Sequence, residues 1–228
     1  LPLVGRHPRL TLSLLDRAVA TEGTKEEVWV RCLARGIGLK AWLNDAQGVL
    51  ETAPKILERT EEPLIRRAVW NAVSSAKSVQ RDWLGAMEAI ERAIEIASAM
   101  PDPLERISGI GNRASYLWLQ GHFKTALAEY DAILVELSHM ESERAALEAT
   151  VAKGNRAYIP TMQGDFATGL AWMEEAYRER ITNGLRIPLG LMGPCLAMLR
   201  LWAKEPKGAL DLMRDGLLEA FSSESSRF

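Results

Sequence analysis

Small and apolar residues return along most of this chain at steps of three and four. Ala86, Ile90 and Ala93 stand at i, i+4 and i+7, and Ala126, Tyr130 and Ile133 repeat the spacing. That interval places all three on one face of an α-helix. No stretch alternates apolar and polar residues for long enough to make a sheet. The pattern predicts an all-α chain with helices near 8–20, 26–41, 45–59, 62–80, 82–100, 103–120, 122–138, 141–163, 165–182, 186–203 and 205–220. Local signals mark the ends. Thr60-Glu61-Glu62-Pro63 offers an N-cap, acids in the first turn and an early proline. Asp102-Pro103-Leu104-Glu105 reads as a capping box. Asp82 and Asp165 sit where a second helix should be capped, and Gly121 and Gly164 where the preceding helix should close.

The helices fall into a repeat. Gly111-Asn112-Arg113-Ala114 returns 43 residues later as Gly154-Asn155-Arg156-Ala157. Gln120-Gly121, Phe123, Thr125 and Leu127-Ala128 return at the same offset. The frame extends through Ala46, Ala86, Ala126, Gly169 and Ala209, with Leu50, Ile90, Tyr130, Met173 and Met213 four residues on. Ala53, Ala93, Ile133, Ala176 and Gly216 follow at seven. Trp83, Phe123 and Phe166 precede three of the small residues. A small residue there lets two helices approach closely, and the aromatic fills the space beside it. Each repeat therefore reads as helix A, a tight turn and helix B.

From Gly111 to Leu134, with Ala114, Gly121, Phe123, Ala126, Tyr130 and Ile133, the chain resembles a tetratricopeptide (TPR) repeat. The stretch from Gly154 to Ala176 is similar, and Trp70 falls where that family often has tryptophan. The period of about 40 residues is longer than the usual 34. It is similar to the helical-repeat region of the large LuxR-type, ATP-dependent bacterial regulators related to the maltose activator. The resemblance implies a right-handed α-solenoid of about five helix-turn-helix repeats plus an N-terminal helix. The expected organisation is an N-terminal segment at 1–25, a repeat domain at 26–220 and a frayed tail at 221–228. Pro160 and Pro194 are expected to kink or shorten the helices that hold them. A second resemblance lies in Pro2-Leu3-Val4-Gly5-Arg6 with Leu10 and Leu14-Leu15, which looks like the opening of the ATPase domain of signalling NTPases. No G-x-x-x-x-G-K-[ST] follows, so this segment does not license nucleotide binding.

Composition narrows the function. Apolar residues make up 47% and charged residues 25%, which fits a folded chain. A net charge of -2 lacks the excess of a dedicated nucleic-acid binder. No run of about eighteen uncharged apolar residues predicts a membrane span. The start, without Met and without an apolar leader, suggests a fragment or processed chain rather than a secreted one. Cys32 and Cys195 have no metal-ligand spacing and read as free thiols of a cytoplasmic protein. His7, His122 and His139 are scattered, and His122 stands at a capping position. The acid pairs Glu26-Glu27, Glu61-Glu62 and Glu174-Glu175 read as solvated helix surface. No catalytic constellation, metal site or cofactor motif is expected.

The candidates for binding are polar residues of the A helices, which in solenoids of this type line the concave face. They are Asn71, Asn112, Arg113, Asn155 and Arg156, with Arg35, Ser75, Ser115, Tyr158 and Trp118 nearby. An amide can hold the backbone of an extended peptide, and a guanidinium can take a carboxylate. The same Asn-Arg pairs could instead bridge neighbouring repeats. Most tryptophans read as packing between helices. The expected function is a non-catalytic module that binds a protein or peptide in its groove, for regulation or scaffolding. The alternative is an effector-sensing repeat domain of a larger ATP-dependent regulator. A small effector and self-association stay open as partners. Direct binding to nucleic acid or membrane is not expected.

Overall fold

A computed structural model describes residues 8–21, 23–183 and 192–214. Among them are ten bounded helices: α1 Pro8–Ala20, α2 Glu26–Trp42, α3 Ala46–Leu57, α4 Pro63–Val79, α5 Trp83–Ser98, α6 Pro103–Leu119, α7 Phe123–Leu137, α8 Glu143–Met162, α9 Phe166–Thr182 and α10 Met192–Trp202. A further helical stretch occupies 206–214. No strand occurs among the described residues. The Pro2–Arg6 segment, His7, Gly216, the 221–228 tail and the expected helical residues 186–191 and 215–220 lie outside them. The chain divides by its contacts into two compact units, 1–120 and 121–228, with the division inside the third repeat, between α6 and α7.

The repeats are joined by one recurring turn. Helix A ends, one residue takes a positive φ, and the next caps helix B. Those residues are Asn44 (φ 60°), Arg81 (φ 61°), Gly121 (φ 85°), Gly164 (φ 90°) and Lys204 (φ 65°). In four of the turns the capping residue also donates its N–H back to helix A. Asp45 bonds the Lys40 carbonyl, Asp82 that of Lys77 and Asp165 that of Pro160, each at 2.9 Å, and Glu205 bonds that of Arg200 at 2.8 Å. This satisfies carbonyls that a helix end otherwise leaves bare. The carboxylates of Asp45, Asp82 and Asp165 then accept the N–H of Gly48, Gly85 and Thr168. His122 stands at the same place and makes no side-chain capping bond. Its expected capping role is therefore positional only.

The turns correct the frame of the first repeat. Asp45 and Asp82 are 37 residues apart, so Val49, not Ala46, is the counterpart of Ala86, Ala126, Gly169 and Ala209. Val49 is wholly buried, as are Ala86, Ala126 and Ala209. Ala46 lies three residues too early and is only half-buried. At Gly169 an added Cβ would lie 2.8 Å from the Ala157 carbonyl oxygen and would run into the Thr161 hydroxyl. Thr161 thus fills the space that alanine occupies in the other repeats. Met213 departs from the frame and is exposed.

In the first unit α1 packs on α2, α2 on α3 and α4, α3 on α4, α4 on α5 and α5 on α6. Ile37, Val49, Ile56 and Val69 form one core there, and Ala86, Ile90, Ala93 and Tyr116 another. In the second unit α7 packs on α8, α8 on α9 and α9 on α10. Its core holds Ala157, Met173, Ala176, Leu196 and Leu199.

Pro160 does not shorten its helix: α8 runs through it for 20 residues. It stands in the last turn, where one intrahelical donor is lost and its carbonyl is used by the Asp165 and Gln163 amides. Pro194 is the third residue of α10, within the first turn, where no intrahelical donor is required.

Two predictions follow from the turns. Arg81 is exposed and holds a conformation that costs a side-chain-bearing residue on the order of 1 kcal/mol. Arg81→Gly should raise the melting temperature by roughly 2–4 °C in calorimetry, and a fall would mean the arginine contributes a contact of its own. Asp82 lies below the ordinary 3.8 because the Gly85 N–H and then Lys77 stabilise its carboxylate. Asp165 is lowered by its bonds from the Thr168 hydroxyl and N–H. A lowered carboxyl contributes stability above its unfolded value and loses it as pH falls through the folded one. Thermal stability should therefore drop below about pH 4. The Asp82→Asn/Asp165→Asn double variant should keep its caps at pH 7 and show a shallower acid loss. An unchanged acid slope would exclude the caps as its source.

Candidate functional site

In each unit the A helices present a stripe of accessible residues fourteen, ten, seven and three places before the helix-B cap, except that on α4 the tenth place is the buried Ala72 and its neighbour Asn71 is the accessible residue. On α2 the stripe carries Arg31, Arg35, Gly38 and Trp42, all exposed. On α4 it carries Ala68, Asn71, Ser75 and Val79, and on α6 Ser108, Asn112, Ser115 and Leu119. In the second unit α8 shows Val151, Asn155, Tyr158 and Met162, and α10 shows Met198 and Trp202. These residues recur at three- to four-residue steps, the interval of one helical face. On α2, α4, α6 and α8 the middle of the stripe is polar or small, and on α10 it holds Met198. Its last position is apolar and open in every repeat: Trp42, Val79, Leu119, Met162 and Trp202 are 43–53% exposed. The sequence reading missed this row, although each member stands three residues before a B-helix cap.

The polar middle contains a short amide link. Asn112 Nδ2 donates to Asn71 Oδ1 at 2.8 Å, joining α4 to α6. Asn155 is half-buried and makes no hydrogen bond among the described residues. Ser115 donates to the Gly111 carbonyl at 3.1 Å. Ser75 lies half-buried one turn beyond Asn71. Behind the stripe, Ser74 and the Tyr116 hydroxyl meet at 3.1 Å in a buried contact. Burial pushes the Tyr116 phenol up, against the lowering effect of Ser74 and Ser78. Burial also pushes Tyr158 well above the ordinary tyrosine value, and the hydrogen bond to Cys195 adds to the shift.

Two of the three predicted arginines, Arg113 and Arg156, face elsewhere. Arg113 Nη1 lies 2.7 Å from Glu91 on α5, and Arg156 Nε lies 2.8 Å from Asp131 on α7. Each arginine stands nine residues before its own repeat's cap, and each acid nine residues after the preceding one. The pairs thus clip α6 to α5 and α8 to α7. Glu174 is the next acid in this series. Leu196 occupies the arginine's place, and Arg200, one turn further on, reaches Glu174 at 2.6 Å. Glu174 is therefore an inter-helix contact rather than solvated surface. The partly exposed geometry gives each such pair about 0.2–1 kcal/mol.

Tryptophans reinforce the same layer. Arg156 lies over Trp172 at 3.9 Å, Arg59 over Trp29 at 4.6 Å and Arg92 over Trp70 at 4.7 Å. Trp83 is half-buried against the Ala86 core, and Trp118 is half-buried on α6. A further pair escaped the sequence reading. Arg67 on α4 and Glu105 on α6 meet at 2.5 Å with side chains only 16% and 9% exposed. Glu105 had been read as half of a capping box. Asp102 supplies the cap, accepting from Leu104, and the Glu105 carboxylate turns to Arg67.

Among the described residues no group of three or more His, Cys, Asp or Glu could hold a metal, and no helix is long and apolar enough to cross a membrane. No protein-family model and no curated protein matches the chain. Solved structures do. BtubC (BKLC) from P. vanneervenii aligns at 13% identity over 97% of this chain and 91% of its own, with a TM-score of 0.61. NprR in complex with its cognate peptide NprX aligns at 14% identity, over 97% of this chain and 66% of that one, with a TM-score of 0.74. PlcR from Bacillus thuringiensis, in complex with the peptide PapR7 and DNA, gives 0.69 at 9% identity, covering 86% and 73%. The chain has a TPR-like helical-repeat fold. Within each unit the A-helix stripe stays accessible, and the arginine–acid clips belong to the packing between helices.

The Arg67–Glu105 pair supplies a test of that packing. Glu105→Ala, which strands a buried guanidinium, should cost about 3–5 kcal/mol in urea unfolding. Arg67→Met with Glu105→Met should recover most of that loss. Equal losses in the single and double variants would show that the pair does not act as a unit.

Proposed function

We propose that this chain is a non-catalytic, regulatory TPR-like module, with 26–220 as the repeat region, that binds a peptide along the A-helix stripe of its first unit. The observation that carries the reading is the likeness in fold to NprR and PlcR, both solved with a bound peptide. The stripe supports it. In the first unit the half-buried Ser75 hydroxyl and the Asn71 and Asn112 amides lie on a helix face whose closing residues, Val79 and Leu119, are apolar. Such a face suits an extended chain, whose backbone groups need partners and whose side chains need apolar contact.

Ser75 gives the cleaner test, because its side chain makes no hydrogen bond among the described residues. Peptides selected from a random heptapeptide library should bind Ser75→Ala about threefold or more weakly than the unaltered chain, with the melting temperature nearly unchanged. Asn112→Ala should weaken binding too, and should also destabilise the fold by on the order of 1–3 kcal/mol, since Asn71 loses its partner. Selection of no peptide at all, or full affinity in both Ser75→Ala and Asn112→Ala, would overturn the reading. Binding is measured by fluorescence anisotropy.

A further inference from the structure

The stripe of the first unit carries its charge at one end. On α2 it holds two exposed arginines, Arg31 and Arg35. Arg31 is held by Glu27 on the same helix at 3.0 Å, in an exposed pair. Arg35 has no ion pair or hydrogen bond among the described residues. The same stripe on α4 is Ala68, Asn71, Ser75 and Val79, and on α6 it is Ser108, Asn112, Ser115 and Leu119, with no ionisable residue on either. Nearby cations on these helices are already satisfied: Arg67 by Glu105, Arg113 by Glu91 and Lys77 by Asp82. The two arginines that the sequence singled out beside the asparagines are thus spent on acids. The open cation is Arg35. The apolar positions Trp42, Val79 and Leu119 run alongside as a second lane.

Resting on the peptide-binding reading, we propose that the first unit selects peptides that place a carboxylate over α2 and apolar side chains toward α4 and α6. Charge complementarity chooses the occupant. A basic peptide would meet the uncompensated guanidinium of Arg35, and a wholly apolar one would leave it without a partner. The neutral amides and hydroxyls of α4 and α6 suit backbone groups. Neighbouring helices pack at about 8–10 Å, and an extended chain advances about 3.3 Å per residue. Each helix is therefore crossed in about three residues, and a heptapeptide spans α2 to α6. The carboxylate belongs to one end of such a peptide, with apolar residues about three and six positions away. Both a terminal carboxylate and an Asp or Glu side chain have the required chemistry.

The test uses a positional-scanning library of fluorescein-labelled heptapeptides, prepared with a free C-terminal carboxylate and as the amide. The whole chain is compared with Arg35→Gln and Trp42→Ala. The expected result is a preference for an acidic residue or a free carboxylate at one end, lost in Arg35→Gln. Neutralising that group should weaken binding about tenfold in the unaltered chain and less than twofold in Arg35→Gln. Loss on amidation would assign the terminal carboxylate, and loss on Asp or Glu substitution the side chain. Trp42→Ala should weaken apolar peptides and leave the acidic preference intact. Peptides that bind without an acidic preference, or that keep it in Arg35→Gln, would overturn this inference and leave peptide binding standing. Absence of any bound peptide would overturn both. Melting curves of each variant separate these outcomes from loss of fold.

Discussion

The turn between helix A and helix B sets everything else in this molecule. One residue at positive φ closes the first helix, and the next residue caps the second while bonding back to the first. The positive-φ residue recurs in each described turn and the back-bond in four of the five, so within each unit the turn sets the rotation of the helices about their axes. That rotation decides which residues are buried, which meet the neighbouring helix and which stay open. The proteins that pay least for this geometry put glycine at the left-handed position. Here Gly121 and Gly164 do so, and Asn44, Arg81 and Lys204 hold it against a steric cost.

From that register comes a division of labour among the arginines. Those nine residues before a cap point toward the preceding helix B and meet an acid nine residues past its cap. The two arginines on the outward stripe of α2 stand outside that register: Arg31 pairs with Glu27 on its own helix, and Arg35 has no ion pair among the described residues. One residue of displacement along a helix turns a side chain by about 100°, which separates packing from recognition. Arg113 and Asn112 are adjacent in sequence, yet one clips α6 to α5 and the other reaches α4.

The buried and half-buried polar contacts serve a related purpose. Arg67–Glu105, Ser74–Tyr116 and Asn71–Asn112 all join α4 to α6. Apolar packing of alanines is smooth and permits sliding between helices. Hydrogen-bonded pairs of fixed geometry hold the two A helices in one register, and with them the spacing of the polar positions on the stripe.

Much of the architecture was legible in the sequence. The 3.6-residue period, the Asp82 and Asp165 caps and the Gly121 and Gly164 turns are local properties, so helix order and repeat pairing could be read residue by residue. The first repeat was misread by three residues at Ala46, because its turn lies 37 residues from the next and Val49 takes the place of alanine. Which polar residues are open could not be read. Asn112, Arg113 and Glu105 carry no mark in the sequence of whether they face a neighbouring helix. The partners that decide it, Asn71, Glu91 and Arg67, lie tens of residues away. Periodicity is written within one helix and needs only the chain's own geometry. The pairing of charges and amides between helices exists only after those helices have packed, and that packing determines which groups remain for a ligand.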